Sequence, residues 1–396
     1  MISVVGVGHP PIDGSARARI ARAALVVGAR RHLESLKVEG GVELGGDLDS
    51  MLETVASCDG DVVVLASGDP GFFGIVRILS ERFGPDALEV FPSVPFVSAA
   101  FARCGLPWDD AIVVSAHGRD PRIAINACRA HPKVAVLTSP TFGPADLARA
   151  LEGVERTYLV AERLGAADER VVMLDGHEVA SRRWRDPNVV VVLDHARSRG
   201  RPSSVFPPRS GPTTWALPEE VFEQRDSMIT KAEVRALVLA RLGPGLGDLI
   251  WDVGTGSGSV AVECARFGAA VIAVDRDERA CALATSNAQR HGVSISVVHG
   301  SAPRALEDLP APDGAFVGGA GADLFDVLAL VSARVRRCAV TTLVTLERMG
   351  PAVEAMSEGG LEVAGVQLRS DRLVRLGNGH RLEGTNPVLI LWGERT

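Results

Sequence analysis

Two glycine-bearing turns, one in each half of the chain, are where residue types and spacing could do chemistry. In the second half, Leu249-Ile250-Trp251-Asp252-Val253 reads as a strand, Gly254-Thr255-Gly256-Ser257-Gly258-Ser259 as a turn, and Val260-Ala261-Val262-Glu263 as the start of a helix. Glycines let the backbone bend tightly and approach a ligand, and free N–H groups at a helix start favour an anionic group. A second apolar run, Val271 to Val274, ends in Asp275, an acid placed to accept hydrogen bonds from both hydroxyls of a ribose. A glycine turn alone is equally well read as a tight turn before a helix. The ensemble points further: the spacing is G-x-G-x-G, and Ser259 stands where a dinucleotide fingerprint wants a third Gly or Ala. That moves the expected ligand from NAD to S-adenosylmethionine, held by Gly254, Thr255, Gly256, Ser257, Gly258 and Asp275.

In the first half, Gly6-Val7-Gly8-His9-Pro10 follows the first apolar run, and Ala66-Ser67-Gly68-Asp69-Pro70-Gly71-Phe72-Phe73-Gly74 follows Val62 to Leu65. Both turns fall at strand carboxyl ends, where open α/β sheets bind ligands. His9, His117 and Cys104 are the residues to weigh as bases or nucleophiles, yet nothing in their spacing supplies a triad partner. His9 reads as a rim residue. His117 has the better claim, because the turn His117-Gly118-Arg119 would face a cleft and Arg119 could hold a propionate or acetate; an ordinary structural turn is the even alternative.

The elements that must position these turns are short β-branched runs alternating with Ala- and Arg-rich stretches of helical length, the pattern of α/β sheets covered by crossover helices. Val62 to Leu65, Val134 to Leu137, Val271 to Val274 and Val340 to Val344 are examples. The conspicuous interruption, Ala196 to Pro212, replaces apolar periodicity with Arg, Ser, Gly and Pro and reads as an interdomain linker. The expected domains are 1–195 and 213–396. A new series of strands after Pro107-Trp108 splits the first into lobes of about 1–108 and 109–195 with a cleft between them.

Composition narrows the partners. The chain has 396 residues, 46% hydrophobic and 23% charged, enough for two full cores and ordinary for a globular protein. Forty-two Lys plus Arg against forty-nine Asp plus Glu give a net charge of -7, which argues against nucleic acid as the partner. No apolar run reaches bilayer length and no basic leader precedes the first strand, so a cytoplasmic protein without membrane contact is expected. The six cysteines are scattered singly, without C-x-x-C spacing, so no metal site is expected.

Longer segments make the resemblance specific. Ile229-Thr230-Lys231-Ala232-Glu233, preceded by Met228, with DVGTGSGSV at Asp252 to Val260, Gly300-Ser301-Ala302-Pro303, Phe316-Val317-Gly318-Gly319, Thr345-Leu346-Glu347 and Asn386-Pro387-Val388, resemble the Rossmann-type methyltransferases of the cobalamin pathway over about the last 180 residues. The resemblance implies a donor site lined by Thr230, Gly254 to Gly258, Asp275 and Ala302. The first 195 residues resemble the tetrapyrrole methylase family in its corrin C5 branch. S-G-D-P-x-F-x-G at Ser67 to Gly74 and Ser115-Ala116-His117-Gly118-Arg119 are the specific parts, with Phe91-Pro92-Ser93-Val94 and Ala161-Glu162-Arg163-Leu164-Gly165 beside them. Donor binding by Gly68, Asp69 and Phe72 carries over directly; for Gly6 and Gly8 the sequence departs from the family's G-x-G-P-G, since His9 and Pro10 follow Gly8.

The implied fold is α/β: a two-lobed tetrapyrrole methylase fold followed by a Rossmann-like class I methyltransferase domain. The implied function is bifunctional. A precorrin is methylated at C5 by the first half, and at C15 with decarboxylation of the C12 acetate by the second, with S-adenosylmethionine at two sites. An electron-rich meso carbon can attack a sulfonium methyl in line, so alignment and water exclusion suffice and no nucleophile is required. Decarboxylation needs an acid for the macrocycle and an apolar surround for the leaving carboxylate. Glu347 is the candidate acid or base, with a surface or helix-capping glutamate as the equal alternative. Rival readings are a single-site RNA or protein methyltransferase, a fusion whose first half only docks tetrapyrrole, and, weakest, a dehydrogenase. A symmetric homo-oligomer is expected on general grounds.

Overall fold

The computed structural model describes residues 1–8, 11–44, 48–197, 211–224, 229–318 and 321–396. His9, Pro10, Met228, Gly319 and most of the expected linker lie outside the described residues. By its internal contacts the chain divides into two compact units. One comprises the described residues of Met1–Arg119 and Lys133–Ser203, the other those of Asp120–Pro132 and Ser204–Thr396.

The first unit carries two five-stranded sheets. In one, β1 (Ile2–Val7), β2 (Leu25–Gly28), β3 (Val42–Glu43), β4 (Val62–Ser67) and β5 (Leu88–Phe91) lie in the order β3-β2-β4-β1-β5, all parallel. Its strands are runs of β-branched residues because both faces are covered. Val4 and Val64 are fully buried on one side, and Val5 on the other; each such valine contributes about 1.5–3 kcal/mol. Register is decisive for function. Val7 pairs with Ser67 and Val5 with Phe91, so the turns leaving β4, β1 and β5 emerge side by side.

The other sheet of this unit runs β6-β7-β10-β8-β9, from β6 (Ile112–Ser115), β7 (Lys133–Leu137), β8 (Thr157–Glu162), β9 (Arg170–Asp175) and β10 (Asn188–Leu193). Only the β6–β7 pair is parallel. The helix Phe96–Arg103 buries Val97, Ala100 and Phe101 in a cluster with Leu159, Val189 and Val191.

The second unit is built on a seven-stranded sheet of order β13-β12-β11-β14-β15-β19-β16. Its members are β11 (Leu249–Val253), β12 (Ala270–Asp275), β13 (Ser296–His299), β14 (Gly314–Val317), β15 (Cys338–Leu343), β16 (Glu362–Leu368) and β19 (Val388–Glu394). The first five are parallel and β19 is antiparallel to both neighbours. The chain winds outward from β11 through β12 to β13, then returns to β14 on the other side. The β11/β14 junction is therefore the topological switch point, where a ligand crevice opens. A separate hairpin pairs β17 (Asp371–Leu376) with β18 (Gly379–Gly384). Among the described residues no helix is long and apolar enough to cross a membrane.

Candidate active sites

In the second unit, the turn after β11 is held in a left-handed backbone at Gly254, Gly256 and Gly258. Gly258 also admits no side chain, since a Cβ there would lie 2.8 Å from Ala284 of the neighbouring helix Glu278–Arg290. Not all the turn's amides are free, contrary to the simple expectation for such a loop. Those of Gly254 and Thr255 donate to Val274 O (2.8 and 3.2 Å), and that of Gly256 to Asp275 Oδ2 (2.9 Å). The cause is close packing of the loop on the end of β12. Among the described residues, the amides of Ser257, Ser259 and Val260 keep no such partner, at the start of the helix Ser259–Arg266. These form the anion-seeking part of the turn.

Asp275 closes β12 as expected. Its Oδ1 accepts from Asp277 N (2.9 Å) and its Oδ2 from Gly256 N, which fixes the carboxylate while leaving lone pairs on both oxygens. Asp275, Gly254 and Ala302 line one cleft together with Gly300, Arg276 and Asp323. Asp323 was not foreseen: it lies beyond a glycine-rich stretch and carries no spacing signal of its own.

Asp252 is the least ordinary group here. It is 1% exposed, and its Oδ2 accepts from Thr255 Oγ1 (2.6 Å) and Ala261 N (3.0 Å), whereas Oδ1 is buried with no partner. Burial pushes its pKa up to about 6 against those two hydrogen bonds, and the nearby Asp275 charge adds to the rise.

Thr230 lies on an arm that buried side chains fasten. Arg235 and Glu263, both fully buried, pair at 2.8 Å. Arg235 also donates to the carbonyls of Thr230 (2.5 Å) and Leu217, while Glu263 accepts from the amides of Ala216 and Leu217 (2.9 and 2.8 Å). Asn287, fully buried, bonds Ser257 O (2.8 Å) and both backbone groups of Glu223. Asn287 thus ties Glu223 of the arm to the glycine turn. Glu347 sits in the exposed turn Leu346–Arg348 after β15, two strands from β11, or about 10 Å across the sheet. It stands among apolar side chains that face solvent: Val344 is 80% and Leu346 69% exposed.

In the first unit, three turns interlock. A Cβ on Gly6 would lie 2.5 Å from Gly68 O and 2.8 Å from Ser93 Cβ, and one on Gly8 would lie 3.2 Å from Ser93 Oγ. Gly68, with φ of 62°, donates its amide to Val7 O (2.9 Å). Ser93 Oγ is buried without a partner in the midst of these glycines. Asp69 Oδ1 accepts from Gly71 N (2.8 Å), so one of its oxygens shapes the turn itself. Phe72 packs edge-on to Phe73 at 5.0 Å and joins the cluster containing Phe96.

Arg119 and His117 are exposed, with the Arg119 guanidinium 5.7 Å over the Phe73 ring and His117 Nδ1 3.3 Å from Thr138 O. The turn Ser115 to Arg119 is therefore brought to the aromatic end of the Ser67 to Gly74 turn. Cys104 lies on the helix end away from these groups, and burial raises its thiol pKa, the reverse of what a nucleophile needs.

The two sites also fit a sulfonium donor on their own terms. Each unit offers backbone turns too tight for side chains, and beside each of these turns a buried oxygen has no partner among the described residues, Ser93 Oγ in the first and Asp252 Oδ1 in the second. Residues 3–180 match the family described as tetrapyrrole (corrin/porphyrin) methylases, and residues 220–394 match the precorrin methyltransferase domain. The fold and sites are those of a two-unit methyltransferase.

Among individual relatives, a precorrin-6Y C(5,15)-methyltransferase (decarboxylating) from Sinorhizobium sp is 35% identical over 338 residues, covering 81% of this chain and 79% of that one. The chain belongs to the precorrin-6Y C(5,15)-methyltransferase (decarboxylating) family. Two shorter relatives each align along nearly their whole length to less than half of it. One is named "Probable cobalt-precorrin-6B C(15)-methyltransferase (decarboxylating)", from Pyrobaculum calidifontis, 39% identical over 45% of this chain and 95% of its own. The other is a cobalt-precorrin-7 C(5)-methyltransferase from Salmonella typhimurium, 32% identical over 49% of this chain and 99% of its own.

Proposed function

We propose that each unit holds its own molecule of S-adenosylmethionine, the first half (1–195) methylating C5 and the second (213–396) methylating C15 and releasing the C12 acetate carboxyl. The overall activity is that of the family: methylation of a precorrin at C5 and C15 with decarboxylation, in cobalamin biosynthesis. The observation that carries the two-site reading is the duplication of a tight glycine cradle around a buried, unpartnered oxygen, once at Ser93 and once at Asp252. That C5 and C15 enzymes occur as separate relatives supports the division.

When bound, the donor supplies an electrophilic methyl group. The chain's part is to orient and to exclude water. In the second unit Asp275 would take the ribose hydroxyls, the Ser257, Ser259 and Val260 amides the donor carboxylate, and Asp252 Oδ1 a positively charged or hydroxyl partner. In the first, Gly6, Gly8, Gly68, Asp69 and Phe72 would frame the donor while Arg119, steadied on Phe73, meets an acidic side chain of the macrocycle and His117 takes or supplies a proton beside it. For decarboxylation, Glu347 would protonate the macrocycle amid Val344 and Leu346, whose apolar surfaces raise the free energy of the leaving carboxylate.

The hairpin supports a homo-oligomer. Arg372 anchors it through Glu219 and Glu233 (2.7 and 2.6 Å), while Leu373 and Leu382, directly opposite in register, are 69% and 65% exposed.

Calorimetry on the whole chain is expected to count two donors per chain. With precorrin and donor, Asp275→Ala should remove only the second methylation and the loss of carbon dioxide, and Gly68→Arg only the first, read by product mass. One bound donor, or loss of both methylations from either change, would sink the two-site model.

A further inference from the structure

Above the carboxyl ends of β1 and β4 the first unit has a cleft of about 450 Å³ whose wall includes Gly8, Arg17, Arg31, His32, Phe96 and Arg163. Three arginines in one cleft are unusual unless an anion is expected, because like charges repel and each loses hydration. Arg163 is already engaged, sharing Asp168 with Arg185 (2.8 and 2.9 Å). Arg31 is not: among the described residues it makes no ion pair, and its one hydrogen bond runs from Nη2 to Ser67 Oγ (2.7 Å).

Arg31 reaches solvent at the cleft, yet the walls strip enough water from it to lower its pKa, with Arg163 adding to the fall and Asp186 opposing it. The same Ser67 hydroxyl lies 2.8 Å from Nε2 of His32, which is 7% exposed. Burial, and then the Arg31 charge, hold the His32 pKa down to about 4, so the ring is neutral near pH 7. Ser67 can then accept from Arg31 and donate to His32 Nε2, with both lone pair and proton in use. Ser67 immediately precedes Gly68 of the donor turn.

We propose that Arg31 grips an acidic side chain of the tetrapyrrole in the first unit, with Ser67 and His32 as the positioning pair that aims its guanidinium into the cleft. This rests on the C5 reading of that unit given above. The ligand chemistry is a carboxylate, which the macrocycle carries on its acetate and propionate arms and the donor on its methionine end. The placement favours the macrocycle, since the wall of this cleft includes Gly8 but not Gly6, Gly68, Asp69, Phe72 or Ser93.

The test is steady-state kinetics of the whole chain with precorrin and S-adenosylmethionine, each methyl located by mass spectrometry, alongside calorimetric donor binding. Arg31→Met is expected to raise KM for the tetrapyrrole at the C5 step about 10- to 100-fold, the worth of a charge-assisted hydrogen bond. Arg31→Lys should recover part of that, and Ser67→Ala should raise the same KM by a smaller factor. Donor affinity at both sites, C15 methylation and decarboxylation should stay within twofold, which also reports that the fold is intact. An unchanged KM in Arg31→Met overturns the proposal. So does weakened donor binding in the first unit, which would assign Arg31 to the donor's carboxylate, and so does a fall in kcat alone in both the Met and Lys variants. A wild-type chain that leaves the precorrin unmethylated at C5 overturns the underlying reading instead, and this inference falls with it.

Discussion

Replacing Asp252 by Asn tests the electrostatics of the second site without touching its shape. In the folded chain the carboxyl titrates at about 6 rather than the ordinary 3.8, because burial outweighs the hydrogen bonds from Thr255 and Ala261. A raised folded pKa means that the group's contribution to stability is fully present below 3.8 and is lost as pH rises through 6. The difference between 6 and 3.8, at about 1.36 kcal/mol per unit, comes to about 3 kcal/mol. Asparagine keeps an acceptor for Thr255 and Ala261 but cannot ionise.

Wild type should therefore lose about 3 kcal/mol relative to Asp252→Asn between pH 3.5 and 7.5, whatever fixed offset the amide introduces. For a unit of this size that is a change of roughly 6–12 °C in the gap between the two melting temperatures. Trp251, fully buried beside the site, offers a fluorescence signal for this unit's transition. Scans of both proteins across the pH window, without donor, give the result directly. A gap that stays constant would show that Asp252 is not held ionised in a dry site, and the reasoning would fail.

Two further changes follow from the packing. Arg235→Met leaves the buried Glu263 with Arg266, at 3.4 Å, as its remaining ion-pair partner among the described residues, so it should cost less than the about 3–5 kcal/mol of a fully broken buried pair and free the arm bearing Thr230; the double change Arg235→Met with Glu263→Gln should regain part of the stability, as read by denaturant unfolding. Leu382→Glu, beside the exposed Leu373 on the hairpin, should lower the oligomeric state seen by light scattering while leaving the two methylations of each chain intact, and an unchanged mass would remove the hairpin from the interface.

The strands were legible wherever β-branched residues crowd together. Val62 to Leu65 lies within β4 and Val271 to Val274 within β12. The expected strand Val340 to Val344 is found at Cys338–Leu343. Small buried residues such as Cys338 and Ala339 carry no strand signature, and Val344 is turned out to solvent.

Glycine turns announce themselves by composition, so the cradles could be located from sequence. Their occupancy could not, because whether Gly254 N–H is free depends on how closely β12 approaches, which is a matter of register. Arg235 and Glu263 illustrate a second limit. Both sit in helical stretches where a charged residue normally faces water, and only tertiary packing reveals that the two are fully buried and fasten the arm at Ala216, Leu217 and Thr230. Arg31 and His32 were passed over for a third reason: they stand 36 and 35 residues before Ser67, and the parallel sheet brings them to it.

Charge placement gives the two clefts different characters that neither turn alone would suggest. In the second unit the crevice beside the glycine turn is bordered by Asp275 and Asp323, with Asp252 just beneath, and a single arginine, Arg276. Such a surround favours a ligand carrying cationic and hydroxyl groups, as a sulfonium nucleoside does, and disfavours a polycarboxylate by like-charge repulsion. In the first unit the cleft at Gly8 is bordered by Arg17, Arg31 and Arg163, which favour the polycarboxylate. A tetrapyrrole bearing several acids would thus be drawn to the first unit's cleft by long-range attraction, whereas in the second it must bind away from the donor crevice, toward the exposed apolar residues after β15. Salt should then raise the tetrapyrrole KM for C5 methylation more steeply than that for C15 methylation, because screening weakens the arginine attraction and leaves apolar contact almost untouched. Equal salt dependence of the two steps would mean that charge does not divide the clefts in this way.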